Sequence, residues 1–241
     1  MVVTSYGIAL VKKNKITNKY EMLFIKKRIT YSYITFVKGI YNKNNDNELI
    51  KLFNGMTTDE KTVIMSLNFN HIWYTSYLTI PHNLMPKDIS KFESCKTKFE
   101  KRFLYDNGKR LLRLIASTKN INCIWEMPKG MQNKNEQEIN TAIREFTEET
   151  GIRKNKYKLL WNVPPMEYIF TDENVTYKYI YYIGIMQDQR YVPSIDMNIN
   201  KSTIMESSDI KFLNLEEIKL LTNKQLYQFV RKIFKKSKSY I

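Results

Sequence analysis

The 241-residue chain has only two cysteines, Cys95 and Cys123. They lie far apart and form no CxxC pair, which argues against a disulfide framework or a cysteine zinc site and fits a reducing compartment. Histidine is equally sparse: His71 and His82 have no partner pattern, and neither is assigned a role. No apolar run approaches the roughly 18 residues that a membrane-spanning helix needs. In the opening MVVTSYGIALVKKNK the lysines follow the apolar run, the wrong order for a secretory signal, so this segment reads as a first strand. No internal repeat is visible. What remains, at 43% apolar residues, is a globular composition long enough for one large domain or two small ones.

Acids are scarce too, and unevenly so. Lys and Arg total 39 against 24 Asp and Glu, a net charge of +15. Residues 1–35 hold seven basic residues and one acid, residues 86–119 ten and four, and residues 218–241 seven and none. Residues 120–217 reverse the balance with eleven and fifteen. A basic body around an acidic centre suits a polyanionic ligand held beside a cation-binding site.

Residues 2–12 and 20–28 read as strands, rich in β-branched and aromatic residues around a polar turn. From about residue 36 to 118 the apolar residues take helical spacing, as in NELIKLFNGM and PKDISKFESCKTKFEKRFLY. Strands return after residue 120, and NKQLYQFVRKIFKK at 223–236 is a last amphipathic helix.

The densest acids lie in GMQNKNEQEINTAIREFTEETGI, residues 130–152, with five glutamates in fourteen residues. On a helical wheel Ile139, Ala142, Ile143, Phe146 and Thr150 share a face suited to packing on a sheet. Glu145, Glu148 and Glu149 fall on the neighbouring flank, three and four residues apart. Such like-charge pairs cost a helix roughly 0.2–0.5 kcal/mol each, and the negative end of the helix dipole adds to the cost. Gly151 then reads as the left-handed cap that ends the helix. Either this is a solvated acidic face or a divalent cation sits among the carboxylates, since hard cations take oxygen ligands.

The spacing Gly130, Glu136, Arg144-Glu145-Phe146, Glu148-Glu149 and Gly151-Ile152 resembles the Nudix box at every fixed position, and Pro128-Lys129-Gly130 resembles its entry loop. The resemblance implies an α/β fold, the Nudix α/β/α sandwich, and hydrolysis of pyrophosphate bonds with Mg2+ or Mn2+. Carried over, it makes Glu145, Glu148 and Glu149 metal ligands, with Glu145 or Glu149 also orienting or deprotonating the attacking water. Glu136 would support the loop or reach a metal, Arg144 would fix a box carboxylate, Gly130 and Gly151 would set the turns, and Lys129 could donate to a phosphate. Glu206, before a late strand, is a candidate further ligand or base; Asp172 and Glu173 read better as a plain turn.

With LIKLFNGMT and LYDNGKRLLRLI in the helical stretch, then WEMPKG and AIREFTEETGI, the sequence over nearly its whole length resembles the viral decapping branch of this family, of the African swine fever virus type, with relatives in poxviruses and other large DNA viruses. This implies removal of the mRNA cap as m7GDP in the cytoplasm, the host's if the protein is viral. Diphosphoinositol polyphosphates or free dinucleotides are the alternative substrates. It also implies a Nudix domain formed by 1–35 and 119–241 with a helical, RNA-binding domain inserted at 36–118. Dispersed cations favour a long polymer such as RNA over a compact ligand: Lys91, Lys96, Lys98, Lys101 and Arg102 in the insert, and Lys235 in the last helix. A methylated guanine is flat and cationic and calls for an aromatic face, for which Phe53 is the first candidate. A homodimer is left open.

Overall fold

A computed structural model describes residues 2–42, 44–121, 123–172, 175–195 and 201–241. The chain divides into two compact units, one formed by Met1–Arg28 and Trp125–Ile241, the other by Ile29–Ile124.

The first unit is built on a mixed sheet. Its strands are β1 (Val2–Lys13), β2 (Tyr20–Lys27), β3 (Trp125–Glu126), β4 (Lys129–Gly130), β5 (Tyr157–Leu159), β6 (Met166–Asp172), β7 (Val175–Met186) and β8 (Ser207–Asn214). The path runs β3-β2-β1-β7-β5, with β4 on β1, β6 on β7 and β8 on β2. Central β1 lies parallel to β7, from Val2 opposite Thr176 to Val11 opposite Ile185, and antiparallel to β2. Buried on both faces, β1 is near-continuously apolar from Ile8 to Val11. Strand alternation sends Ile8, Leu10 and Ile180 to one face, where Ala142 and Phe146 of helix α7 (Glu138–Thr150) pack on them. It sends Tyr181 to the other, where the ring of Phe229 on α10 (Lys224–Ser237) lies 5.9 Å away. Helix, sheet and helix thus form the expected sandwich, with α8 (Lys201–Glu206) and α9 (Leu215–Leu221) flanking β8.

The second unit is helical: α1 (Tyr31–Val37), α2 (Asp46–Asn54), α3 (Thr58–Met65), α4 (Phe69–Tyr77), α5 (Pro86–Phe99) and α6 (Lys109–Ala116). The composition shift places its start near residue 36, but the unit begins at Ile29 and ends at Ile124. The reason lies in α1. Its sequence YSYITFV favours a strand by propensity, yet Thr30 caps it by accepting from the Tyr33 amide, and Tyr33, Phe36 and Val37 enter a helical core. The cap is itself held: Glu60 is buried, and its carboxylate accepts from the Thr30 amide at 2.6 Å, the Thr30 hydroxyl at 2.9 Å and the Thr57 amide at 2.8 Å. Glu60→Ala should leave three donors unsatisfied and destabilise this unit by about 3 kcal/mol, measurable by denaturant unfolding; a change within 0.5 kcal/mol would show the cap to be dispensable.

Candidate active site

The carboxylates are positioned by the two ends of α7. At its start, the Tyr6 hydroxyl of β1 donates to Glu138 at 2.9 Å. At its end, Gly151 takes φ +70° and its amide bonds to the Thr147 carbonyl at 2.8 Å. The carbonyls left over in the last turn are met from far along the chain: Thr203 of α8 donates to Glu148 O at 2.7 Å, and Ser207 of β8 donates to Glu149 O at 2.9 Å.

Arg144 organises the acids around it. Its Nε and Nη2 each donate at 2.9 Å to the two oxygens of Glu136, a bidentate pair. Nη1 reaches Glu145 at 2.6 Å and Glu148 at 3.0 Å, and Nη2 also reaches the Met131 carbonyl at 3.0 Å. The hydrogen bonds from Arg144 hold the Glu136 carboxyl down to about 2. Glu145 is instead pushed up, mainly by burial and further by the charges of Glu148 and Glu136, against the pull of Arg144.

Glu149 departs from the flank assigned by the wheel. It turns under the helix and is 4% exposed. Its Oε2 accepts from the backbone amide of Lys129 at 2.7 Å. Burial raises its pKa to about 8, with the neighbouring Glu126 adding to the shift and Lys129 and Lys27 opposing it. Glu206, at the end of α8, is also raised, first by burial and then by the charges of Glu145 and Glu148, which places it in the same electrostatic cluster.

Lys129 does not project outward as a phosphate donor. Its Nζ pairs with Glu126 at 3.0 Å and lies 4.8 Å over the Tyr179 ring. Glu126, which also pairs with Lys27 at 3.1 Å, was not singled out by sequence reasoning. Burial raises its pKa, but Lys129 and Lys27 outweigh burial, and the carboxyl ends below its usual range. An acid in a short apolar segment three residues before a lysine was the available signal.

Gly130 lies on β4, paired with Tyr6 of β1. A Cβ at this position would fall 2.0 Å from the Glu145 carboxyl carbon, so only glycine leaves the carboxylate its place. Gly130→Ala should displace the Glu145 carboxylate and lower hydrolysis at least a hundredfold, with less than about 1 kcal/mol of stability lost because the displaced group ends a flexible side chain; activity within threefold of the unsubstituted protein would refute that role.

Phe53 is not an aromatic platform. It is fully buried in the core of the helical unit, 5.4 Å from the Phe36 ring, with no face for a ligand. Helical spacing marked it as apolar but could not distinguish core from platform. Lys91, Lys96 and Lys98 lie on α5, and Lys101 and Arg102 on the turn that follows; Lys235 stands exposed on α10 with Arg231 and Lys232. Glu173 lies outside the described residues.

Among the described residues, no three acidic, histidine or cysteine side chains already converge on one point as a ligand set. Arg144 occupies oxygens of Glu136, Glu145 and Glu148. The donors still suit a hard divalent cation. All are carboxylate oxygens, and burial disfavours the ionised forms of Glu145 and Glu149, which such an ion would stabilise.

A family model described as the NUDIX domain matches residues 103–235, more than half of the chain. The chain belongs to the Nudix family. The mRNA-decapping protein g5R of the Badajoz strain of African swine fever virus is 31% identical over 228 residues, covering 93% of this chain and 88% of that protein. The g5R protein of a Kenyan pig isolate is 33% identical, covering 92% and 89%. A putative mRNA-decapping protein of Acanthamoeba polyphaga mimivirus is 26% identical, covering 83% and 60%. A Caenorhabditis elegans Ap4A hydrolase complex overlays on the Nudix chain with a TM-score of 0.49 at 12% identity, covering 99% of each. The match spans α7 and makes the protein a Nudix hydrolase. No described helix is long and apolar enough to cross a membrane.

Proposed function

We propose that the protein removes the 5′ cap of mRNA as m7GDP, with the transcript held along its basic surfaces. The observation that carries this reading is the carboxylate group of α7, packed beside Arg144 and closed by a buried Glu149, in a chain related over nine-tenths of its length to proteins named for mRNA decapping.

Glu145, Glu148 and Glu149 would hold Mg2+ or Mn2+, with Glu136 and Glu206 in support. Bound there, the metal would offset charge on the phosphate oxygens and lower the pKa of an attacking water. The chain's own residues supply the rest. Arg144 fixes the rotamers of Glu136, Glu145 and Glu148 through its fork. The Lys129 amide orients Glu149, one of the two carboxylates proposed to take the proton of the water. Lys129, clamped between Glu126 and the Tyr179 ring, contributes fixed positive charge rather than a mobile contact.

For the methylated guanine, the β6–β7 hairpin is a better source of aromatic faces than Phe53. Phe170 and Tyr177 stack at 5.1 Å and 17°, both half-buried, and Tyr179 next to them carries the Lys129 contact. The RNA chain would follow the cations of α5 in one unit and Arg231, Lys232, Lys235 and Lys238 around a cavity of ≈ 620 Å³ on α10 in the other. The test is product analysis after incubation with cap-labelled RNA, cap dinucleotide and a diphosphoinositol polyphosphate. Release of m7GDP, faster from long RNA than from the dinucleotide, is expected; preference for the inositol compound would overturn the assignment.

A further inference from the structure

Helix α8 ends in Glu206 and has only six residues, too few to fix by itself where that carboxylate lies. It is fastened from two sides instead. The buried Thr203 hydroxyl donates to Glu148 O at 2.7 Å, and the buried Ser207 hydroxyl donates to Glu149 O at 2.9 Å. Behind Glu206, the Arg28 amide donates to the Glu206 carbonyl at 3.0 Å and Arg28 Nε to the Met205 carbonyl at 2.9 Å. Glu206 thus lies in the chain between two hydroxyls that grip the main chain of Glu148 and Glu149, and the charges of Glu145 and Glu148 act on it.

A β-bulge puts Ser207 in place. Strand β8 pairs with β2 in regular register from Asn214 opposite Glu21 to Asp209 opposite Lys26, then slips so that Ser207 meets Lys27. Without the slip, alternation would send Ser208 to the face of Ile210, on which α7 packs. With it, Ser207 takes that place and is buried, while Ser208 is exposed and its hydroxyl turns back to the Lys26 carbonyl at 3.3 Å. Bulges interrupt a ladder and recur beside active sites, where they re-aim a side chain. Thr203 stands three residues before Glu206, on the same side of α8. Capping α7 alone would require neither the bulge nor a carboxylate set between the two donors.

We propose that Thr203 and Ser207 are positioning residues: by tying α8 to the last turn of α7, they hold the Glu206 carboxylate where it can join Glu145 and Glu148 on a divalent cation. This rests on the metal-binding role proposed for those acids and is independent of which phosphate substrate is cleaved. Hydroxyls suit the task because each donates to a main-chain carbonyl and leaves the carboxylate oxygens of Glu148 and Glu149 to the cation.

The test titrates the full chain with Mn2+ alone, without substrate, and follows the free ion by electron paramagnetic resonance. T203V/S207A should bind Mn2+ about tenfold more weakly, as loss of the outer partners of metal ligands commonly does, while T203S, which keeps the hydroxyl, should stay within about twofold. The deciding step is a cycle with E206Q. E206Q alone should weaken Mn2+ about tenfold, and adding T203V/S207A to it should cost no more than about twofold further, because the pair acts through Glu206. Should T203V/S207A fail to fold, S207A alone carries the test and should weaken Mn2+ about threefold. Unchanged Mn2+ affinity in a folded hydroxyl variant overturns the proposal. So does an equal, additive loss on top of E206Q, which would make the two hydroxyls caps of α7 only. An unsubstituted chain that binds no Mn2+ removes the metal site and the positioning role together; one that binds Mn2+ without regard to the hydroxyls leaves the metal site standing and overturns the positioning role alone.

Discussion

Glu149→Gln should lower hydrolysis of capped RNA about a thousandfold, about 4 kcal/mol in activation free energy, while raising the melting temperature of the metal-free protein near pH 8. The substitution keeps an oxygen to accept from the Lys129 amide but removes a charge that burial makes costly. Loss of activity combined with gain of stability is what a site tuned for ligand rather than for folding gives. A merely structural carboxylate would give the opposite pair: activity nearly retained and stability lowered. Rates on cap-labelled RNA and melting curves in EDTA, taken on the same preparations, distinguish the two.

The second large effect is on pH. With its folded pKa near 8 against an ordinary 4.5, Glu149 holds a proton in the folded chain that the unfolded chain has released. Its contribution is therefore complete below about pH 4.5 and is lost as pH rises to 8. The upper bound on that loss is roughly 3–5 kcal/mol. Glu145 and Glu206 shift in the same direction. Glu136, held down to about 2 by Arg144, works the other way, and its contribution disappears as pH falls toward 2. Metal-free protein should thus melt at steadily lower temperature from pH 5 to pH 8. Millimolar Mg2+ should flatten that decline, because a bound cation stabilises the ionised carboxylates. A flat profile in EDTA would contradict the burial of charge described for this site.

Much of the carboxylate centre was legible because its residues lie within one helix and the loop before it. Glycine at 130 and 151, arginine at 144 and the acids at fixed spacing mark a turn, a fork and a charged flank without knowledge of the rest of the fold. Less was visible of how α7 meets the sheet. The wheel grouped Glu149 with Glu148, but packing on the sheet rolls Glu149 inward to the Lys129 amide and leaves Glu148 with much of its side chain exposed. Thr203 and Ser207, which satisfy the last carbonyls of α7, lie more than fifty residues downstream and carry no local signal. In the helical unit, tertiary packing overrode propensity at α1, and a core position was indistinguishable from a ligand platform at Phe53. The π-turn at Glu100–Leu104 depends on Phe99 and Phe103 reaching the same core, which periodicity alone does not reveal.

We propose that divalent ions bind among the acids of α7, where Arg144 already offsets part of their charge. Crystals of the full chain soaked in Mn2+ test it directly, with data collected at the manganese absorption edge. Anomalous peaks are expected within coordination distance of Glu145, Glu148 or Glu149, with Arg144 withdrawn from at least one oxygen it now holds. Full-occupancy Mn2+ elsewhere in the lattice, with no peak beside α7 and Arg144 unmoved, would contradict it.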